Sequence, residues 1–166
     1  SWATVAEDPL QLGAIGSSAY DGDGLPTRYQ TFVDGGRLTQ YVLSLYSAHR
    51  LGLTSTHNAG GVRNVRFTGT ASFNELIRQM DRGLIVTDLM GQGVNLVTGD
   101  YSRGASGFWV EGGEIQYPVQ EITIAGHLDQ LFQTHLVAVG ADVDTRRSLA
   151  SGSLLFDRMM IAGESA

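Results

Sequence analysis

Neither lysine nor cysteine occurs in this chain of 166 residues. Without cysteine there is no disulfide, no thiol nucleophile and no thiolate ligand for a metal. All 11 basic residues are arginine, so a Walker-type lysine, a Schiff-base lysine and a Ser-Lys dyad are excluded together. No apolar run approaches the ~20 residues that a membrane helix needs. The opening Ser1-Trp2-Ala3-Thr4 has neither a basic nor an apolar leader region, so no signal peptide is expected. Positive charge is scarce, with a net charge of -6, which removes the electrostatic basis for gripping nucleic acid. A cytoplasmic protein without membrane or nucleic-acid partners is the expectation. The missing initiator Met fits a processed chain or a fragment of a longer protein, and a fragment is the expectation.

Glycine, in contrast, is abundant, with 22 residues scattered between apolar stretches, as in a globular chain with many tight turns. Residues 1–12 show no period and read as a connector or an edge strand. Arg28 to Val33 and Arg37 to Leu43 read as strands joined at Asp34-Gly35-Gly36, because an Asp-Gly turn between β-rich runs needs positive φ. A short helix from Tyr46 to Leu51 stops at Gly52, Thr54 to Gly61 is a polar loop, and Val62 to Phe67 is strand-like. The clearest helix runs from Ser72 to about Arg82, where Ser72-Phe73-Asn74-Glu75 matches a capping box. Phe73, Leu76, Ile77 and Met80 fall on one apolar stripe, with Gly83 as the stop.

Leu84 to Thr87 reads as a buried strand, Gly91-Gln92-Gly93 as a turn and Val94 to Thr98 as a strand. Phe108 to Val110 and Glu114 to Tyr117 flank a second hairpin turn at Glu111-Gly112-Gly113, with Pro118 limiting pairing on one side. A second helix spans Leu128 to His135, and Val137 to Val139 and Leu154 to Ile161 supply closing strands. The sum is an α+β domain over residues 1–166. It is strand-rich, a mostly antiparallel sheet or barrel-like arrangement with a few short helices.

The four histidines, His49, His57, His127 and His135, have no metal-ligand spacing such as HExxH or HxxxH. His135 reads as a hydrogen-bonded core or interface residue, His49 as exposed, and His127 as a cap on the second helix. His57 sits in the polar loop beside Thr56 and Asn58 and is a candidate ligand contact. Asp21-Gly22-Asp23-Gly24 fails the calcium-loop template at Leu25 and Phe32, so a turn is expected there. Gly104-Ala105-Ser106-Gly107 is not a nucleophile elbow. Met90 to Gly107 mixes glycines with polar side chains. Glycines in a strand admit another backbone, so a sheet edge here could take an extended peptide as an added strand. A bulged strand without a ligand is the alternative, and the residues alone favour it.

This segment also carries a family likeness. Gly83-Leu84-Ile85-Val86-Thr87-Asp88-Leu89-Met90-Gly91-Gln92-Gly93-Val94-Asn95 and Thr98-Gly99-Asp100-Tyr101-Ser102-Arg103-Gly104-Ala105-Ser106-Gly107-Phe108-Trp109-Val110-Glu111 resemble the C-terminal domain of the TldD/PmbA metalloprotease family, on its PmbA (TldE) side. Gly113 to Val119 and Glu121 to Gly126 continue the likeness. Weaker echoes occur at Leu51 to Thr56, at Ala59-Gly60-Gly61, at Val139-Gly140-Ala141-Asp142 and at Ile161-Ala162-Gly163-Glu164.

The resemblance implies a cytosolic protein with an upstream α/β domain that forms a heterodimer with a TldD-like paralogue. The paralogue would hold zinc through HExxxH and a later Cys, and the pair would cleave flexible peptides such as antitoxins and a peptide-antibiotic leader. The Cys position falls near Ala150-Ser151-Gly152, where this chain has Ala150. No cofactor is therefore expected in this chain, and no catalytic or metal residue.

On this reading the domain is a non-catalytic subunit. Thr98, Gly99, Asp100, Tyr101, Ser102, Arg103 and Gly104 would line a peptide groove, with Asp100 and Arg103 as polar contacts, and His57 would be a further contact. A peptide- or protein-binding adaptor without proteolysis, of the DNA gyrase modulator type that an older description of the family implies, is the alternative. An independent hydrolase is a third. A heterodimer domain should also expose an apolar patch above ~600 Å², with Tyr101, Phe108, Trp109 and Tyr117 as candidates, although each taken singly reads first as a core residue.

Overall fold

The computed structural model describes residues 2–163. Its strands are β1 (Val5–Glu7), β2 (Gln30–Asp34), β3 (Arg37–Leu38), β4 (Val65–Phe67), β5 (Gly83–Met90) and β6 (Asp100–Glu111) in the first two-thirds of the chain. β7 (Glu114–His127), β8 (Leu136–Val139), β9 (Leu149–Ser151), β10 (Leu154–Phe156) and β11 (Met160–Ala162) follow. The helices are α1 (Leu45–Leu51), α2 (Phe73–Met80) and α3 (Leu128–Gln130). The α+β, strand-rich and mostly antiparallel character expected from the sequence holds. Of the last echo, Ile161 and Ala162 lie in β11 and Gly163 follows it, while Glu164 lies outside the described residues.

The chain divides into two units, one of residues 2–70 with 141–153 and one of residues 71–140 with 154–163. In the first unit the five strands run in the order β3-β2-β1-β4-β9. Residues 5–7 are thus the centre of a sheet and not a connector or an edge: Val5 to Glu7 pair with β2 on one side and with β4 on the other. The three-residue strand is too short for any period to show. The β2–β3 hairpin turns at Gly35-Gly36 as expected, but its returning strand ends at Leu38 and not at Leu43. β9, which no sequence signal marked, pairs in parallel with β4. α1 is closed by a Ser44 and Ser47 capping box at its start and by Gly52 in the left-handed region at its end.

The second unit holds a four-stranded antiparallel sheet, β11-β7-β6-β5, and the two-stranded pair β10-β8. β6 and β7 form one long hairpin whose turn residues, Gly112 and Gly113, have φ of 62° and 71°. Such a pair of left-handed residues matches the strand twist. Ala105 is fully buried between Ile122 and Ile124, with Leu84, Tyr101, Val119 and Met159 packed around them. α2 starts at the expected capping box, with Ser72 Oγ accepting from Glu75 N and Glu75 Oε2 accepting from Ser72 N. Leu76 and Ile77 bury its stripe. Its cap is Asp81, at φ 57°, and Gly83 instead opens β5.

β5 is half-buried at its start and exposed from Val86 on, not the buried strand its apolar run suggested. It lies at the edge of its sheet, with only β6 beside it among the described residues. Val94 to Thr98 is not a strand. Val94 makes a single bridge to Tyr101, and Asn95 turns the chain by accepting from Val97 N and Thr98 N on its side chain. The second helix is present, but α3 passes at Leu131 into a π-helical turn, Leu131–His135.

Candidate functional site

Strand alternation decides what Thr98 to Gly104 can do. β6 runs in regular register against β7 from Asp100 opposite His127 to Ala105 opposite Ile122, so successive side chains point to opposite faces. Asp100, Ser102 and Gly104 share one face, and Tyr101, Arg103 and Ala105 the other. Asp100 and Arg103 therefore cannot act as two contacts on one wall, contrary to the expectation from sequence. The strand is also not a sheet edge: Ser102 N donates to Gly93 O at 2.7 Å, Met90 pairs with Gly104, and β7 covers the other side. An added strand has no free main chain to pair with along Asp100 to Gly104. The free edge of this sheet on that side belongs to β5.

Within the segment, Thr98 Oγ1 donates to Asp100 Oδ2 at 2.6 Å, leaving Asp100 and Ser102 exposed. Gly99 has φ +84°, and a Cβ there would stand 2.7 Å from His127 Cε1. Only glycine fits both limits. Its carbonyl accepts from Leu128 N at 2.8 Å. His127 holds the N-cap position of α3 without capping it, and its Nε2 instead lies 2.7 Å from Thr98 O. The register that sets Asp100 opposite His127 draws the ring to the turn, and no local pattern announced it. Arg103 Nη2 donates to Leu89 O at 3.2 Å, while its Nε is buried without a partner among the described residues. Arg103 thus ties β5 to β6, and Tyr101 packs on the core beside Ala105.

The remaining candidates are engaged separately. His57, in the first unit, has φ 64°, and its Nδ1 lies 2.6 Å from Pro26 O. It belongs to a different unit from Thr98 to Gly104. Asp21 accepts from Asp23 N and Leu25 N on Oδ1 and from Ala59 N on Oδ2, forming the expected turn. Burial raises its pKa, but those three backbone donors and Arg63 outweigh that and hold its carboxyl below the usual value. His135 Nδ1 lies 2.9 Å from Asp157 Oδ1, the hydrogen-bonded role expected of it, and His49 is exposed. Of the aromatic candidates for a surface patch, Tyr117 and Phe108 are exposed, whereas Tyr101 and Trp109 are half-buried, Trp109 beneath the Arg82 guanidinium at 5.8 Å.

Ala150, where the family likeness puts a Cys ligand, is 7% exposed in β9 and pairs with Arg66 of β4. Its methyl group offers no donor to a metal. Among the described residues no three His, Asp or Glu side chains are grouped to hold one. No described helix is long and apolar enough to cross a membrane.

The sequence pattern of the PmbA/TldA metallopeptidase C-terminal domain matches residues 1–163. Over 164 residues the chain is 49% identical to Metalloprotease PmbA of Escherichia coli O157:H7, covering 98% of this chain and 36% of that protein. Among solved structures it is similar to a Thermotoga maritima protein described as a candidate modulator of a DNA gyrase. That likeness has a TM-score of 0.87 at 32% identity, covering 97% of this chain and 39% of the other. It is also similar to TldE from Thermococcus kodakarensis, with a TM-score of 0.81 at 25% identity, covering 98% and 40%. The chain thus spans little more than a third of the length of the relatives it matches. With one domain pattern running through nearly its whole length, this chain belongs to the PmbA/TldD metallopeptidase family, as a C-terminal domain.

Proposed function

We propose that this chain is the C-terminal domain of a non-catalytic subunit in a heterodimeric zinc metalloprotease of the TldD/TldE type, resident in the cytoplasm and acting on flexible peptides. The observation that carries this reading is the likeness to PmbA-named proteins over 98% of the chain, joined to a buried methyl group at Ala150. The residues present do not fit a zinc centre. Imidazoles of His57, His127 and His135 are each bonded to a different partner, and thiolate is lacking. Zinc belongs, on this reading, to a TldD-type paralogue, and no chemical step runs through this chain.

Peptide contact is assigned to the exposed face at Asp100 and Ser102, held in place by Thr98, Gly99 and His127. Gly104, half-buried, ends that face, Tyr101 and Arg103 support the strand from the opposite face, and His57 is a separate candidate in the first unit. The test is cleavage of an unstructured peptide by the intact protein, alone and with its TldD-type paralogue. Turnover is expected only with both. Asp100→Ala should lower kcat/KM about 2- to 10-fold, the worth of one hydrogen bond of about 0.5–1.5 kcal/mol. Arg103→Ala should leave the KM for peptide within about twofold, because Arg103 acts inside the sheet. Turnover by the intact protein alone would overturn the non-catalytic role, and an unchanged kcat/KM in Asp100→Ala would overturn the site. A second reading, an adaptor that binds without cleaving, is favoured by the gyrase-modulator description of the Thermotoga maritima neighbour. Binding of peptide with no cleavage, even with the paralogue present, would favour it.

A further inference from the structure

A cavity of about 460 Å³ opens in the first unit between the loop Gln11 to Ile15, strand β4 and the loop Thr145 to Ser148. Three of the chain's 11 arginines, Arg66, Arg146 and Arg147, line it, and no carboxylate does. This is an unusual concentration of positive charge in a chain whose net charge is -6. One of the three is already neutralised. Arg146 forms a bidentate pair with Asp144, Nε to Oδ1 at 2.9 Å and Nη2 to Oδ2 at 2.8 Å. Arg66 reaches only a neutral acceptor, Gln11 Oε1 at 3.0 Å. Arg147 makes no ion pair or side-chain hydrogen bond among the described residues.

The walls are held before any ligand arrives. Val65 N donates to Ser148 O at 2.8 Å, and Asn64 Oδ1 accepts from Gly16 N at 2.9 Å. At the rim stand two aliphatic side chains, Leu12 and Ile15, which are 98% and 76% exposed. Arg66, bonded only to a neutral acceptor, and Arg147, which has Asp144 nearby but no direct pair with it, stand beside two bare aliphatic groups and suit an anion that carries apolar neighbours.

We propose that this cavity binds an acidic peptide segment, with a carboxylate held by Arg66 and Arg147 and adjacent apolar side chains covering Leu12 and Ile15. The planar fork of each guanidinium matches a carboxylate, and Arg146 serves to hold the loop through Asp144. The site lies within the first unit and does not depend on the peptide contact assigned to Asp100.

The test is calorimetric titration of the intact protein with N-acetyl-Leu-Leu-Glu amide, N-acetyl-Leu-Leu-Gln amide, sodium acetate and inorganic phosphate. The acidic peptide is expected to bind at least about tenfold tighter than its Gln counterpart, the worth of a charge-assisted pair, and tighter than either bare anion. Arg66→Gln with Arg147→Gln should reduce the Glu-over-Gln preference below about twofold. Both side chains are exposed, and unchanged circular dichroism will confirm folding. Leu12→Ser with Ile15→Ser should weaken both peptides and leave acetate unaffected. Equal affinity for the Glu and Gln peptides, or a preference that survives the double arginine variant, overturns the proposal. Acetate or phosphate binding as tightly as the acidic peptide overturns the peptide and leaves a simple anion site.

Discussion

Glu7 is the most buried large side chain of the first unit, at 2% exposure, and replacing it tests whether polar contacts hold the centre of that sheet. Its Oε1 accepts from Gln30 Nε2 at 2.9 Å and from Asn58 Nδ2 at 2.7 Å, and its Oε2 accepts from Arg63 N at 2.7 Å. In Glu7→Ala, Gln30 Nε2 keeps Thr56 O at 2.8 Å and Asn58 Oδ1 at 3.2 Å, so it loses little. Asn58 Nδ2 and Arg63 N have no such substitute. Asn58 Nδ2 is buried and costs about 1–3 kcal/mol when unpaired, and the half-buried Arg63 N about 1 kcal/mol, hence about 2–4 kcal/mol in all. Set against the 5–15 kcal/mol typical of whole domains, that loss should open the loop from Ser55 to Arg63. Hydrogen exchange on the intact protein measures it by peptide: protection across residues 54–64 should fall about 30-fold or more, at about 1.4 kcal/mol per factor of ten. Glu7→Gln, which keeps one acceptor oxygen, should lose about half as much free energy. A loss below ~1 kcal/mol in Glu7→Ala, or an equal loss across the β6–β7 hairpin, would refute the assignment of the stability to this network.

Three further outcomes follow from local geometry. Ser72→Ala removes the side-chain half of the α2 capping box, the Oγ that accepts from Glu75 N, and leaves the Ser72 N–H to Glu75 Oε2 bond in place; it should cost about 0.5–2 kcal/mol, read from thermal unfolding. The Ser72 backbone N–H and hydroxyl beside Glu75 hold its carboxyl below the ordinary 4.5. Stability from that contact is therefore complete above about pH 4.5 and is lost as pH falls through the lower folded value. Exchange of the first turn of α2 should rise on acidification in the native protein; Ser72→Ala, which keeps the backbone N–H, should weaken that dependence, and Glu75→Ala should abolish it. Gly99→Ala places a Cβ against the His127 ring on a backbone at φ +84°, at a cost of about 1–3 kcal/mol. The His127 ring resonances should move as its bond to Thr98 O breaks, and unshifted resonances would show that the contact is unimportant.

Much of the local structure was legible because its causes lie within a few residues. The Ser72–Glu75 box, the paired glycines at 35–36 and 112–113 and the Gly52 stop each depend on neighbours four positions away or fewer, and each formed as read. Strand ends were less legible. Val94 to Thr98 has β-branched residues, yet Asn95 bonds the two following amides with its own side chain and turns the chain. Leu84 to Thr87 is apolar, yet it lies on an edge, and apolar composition cannot report whether a second neighbour will pair.

The residues alone determined the family, the α+β class, the lack of thiolate and lysine chemistry, and the turn and cap positions, since each depends on composition or on near neighbours. Tertiary structure decided the rest. Asp100 and Arg103 fell on opposite faces of β6 through strand alternation. His127 met Thr98 through a register set by pairing across the hairpin. Glu7, Gln30 and Asn58, and separately Arg66 and Arg147, met across 23 to 81 positions of chain. Pairings at that distance are selected by which surfaces can be buried together, and no window of neighbouring residues contains that information.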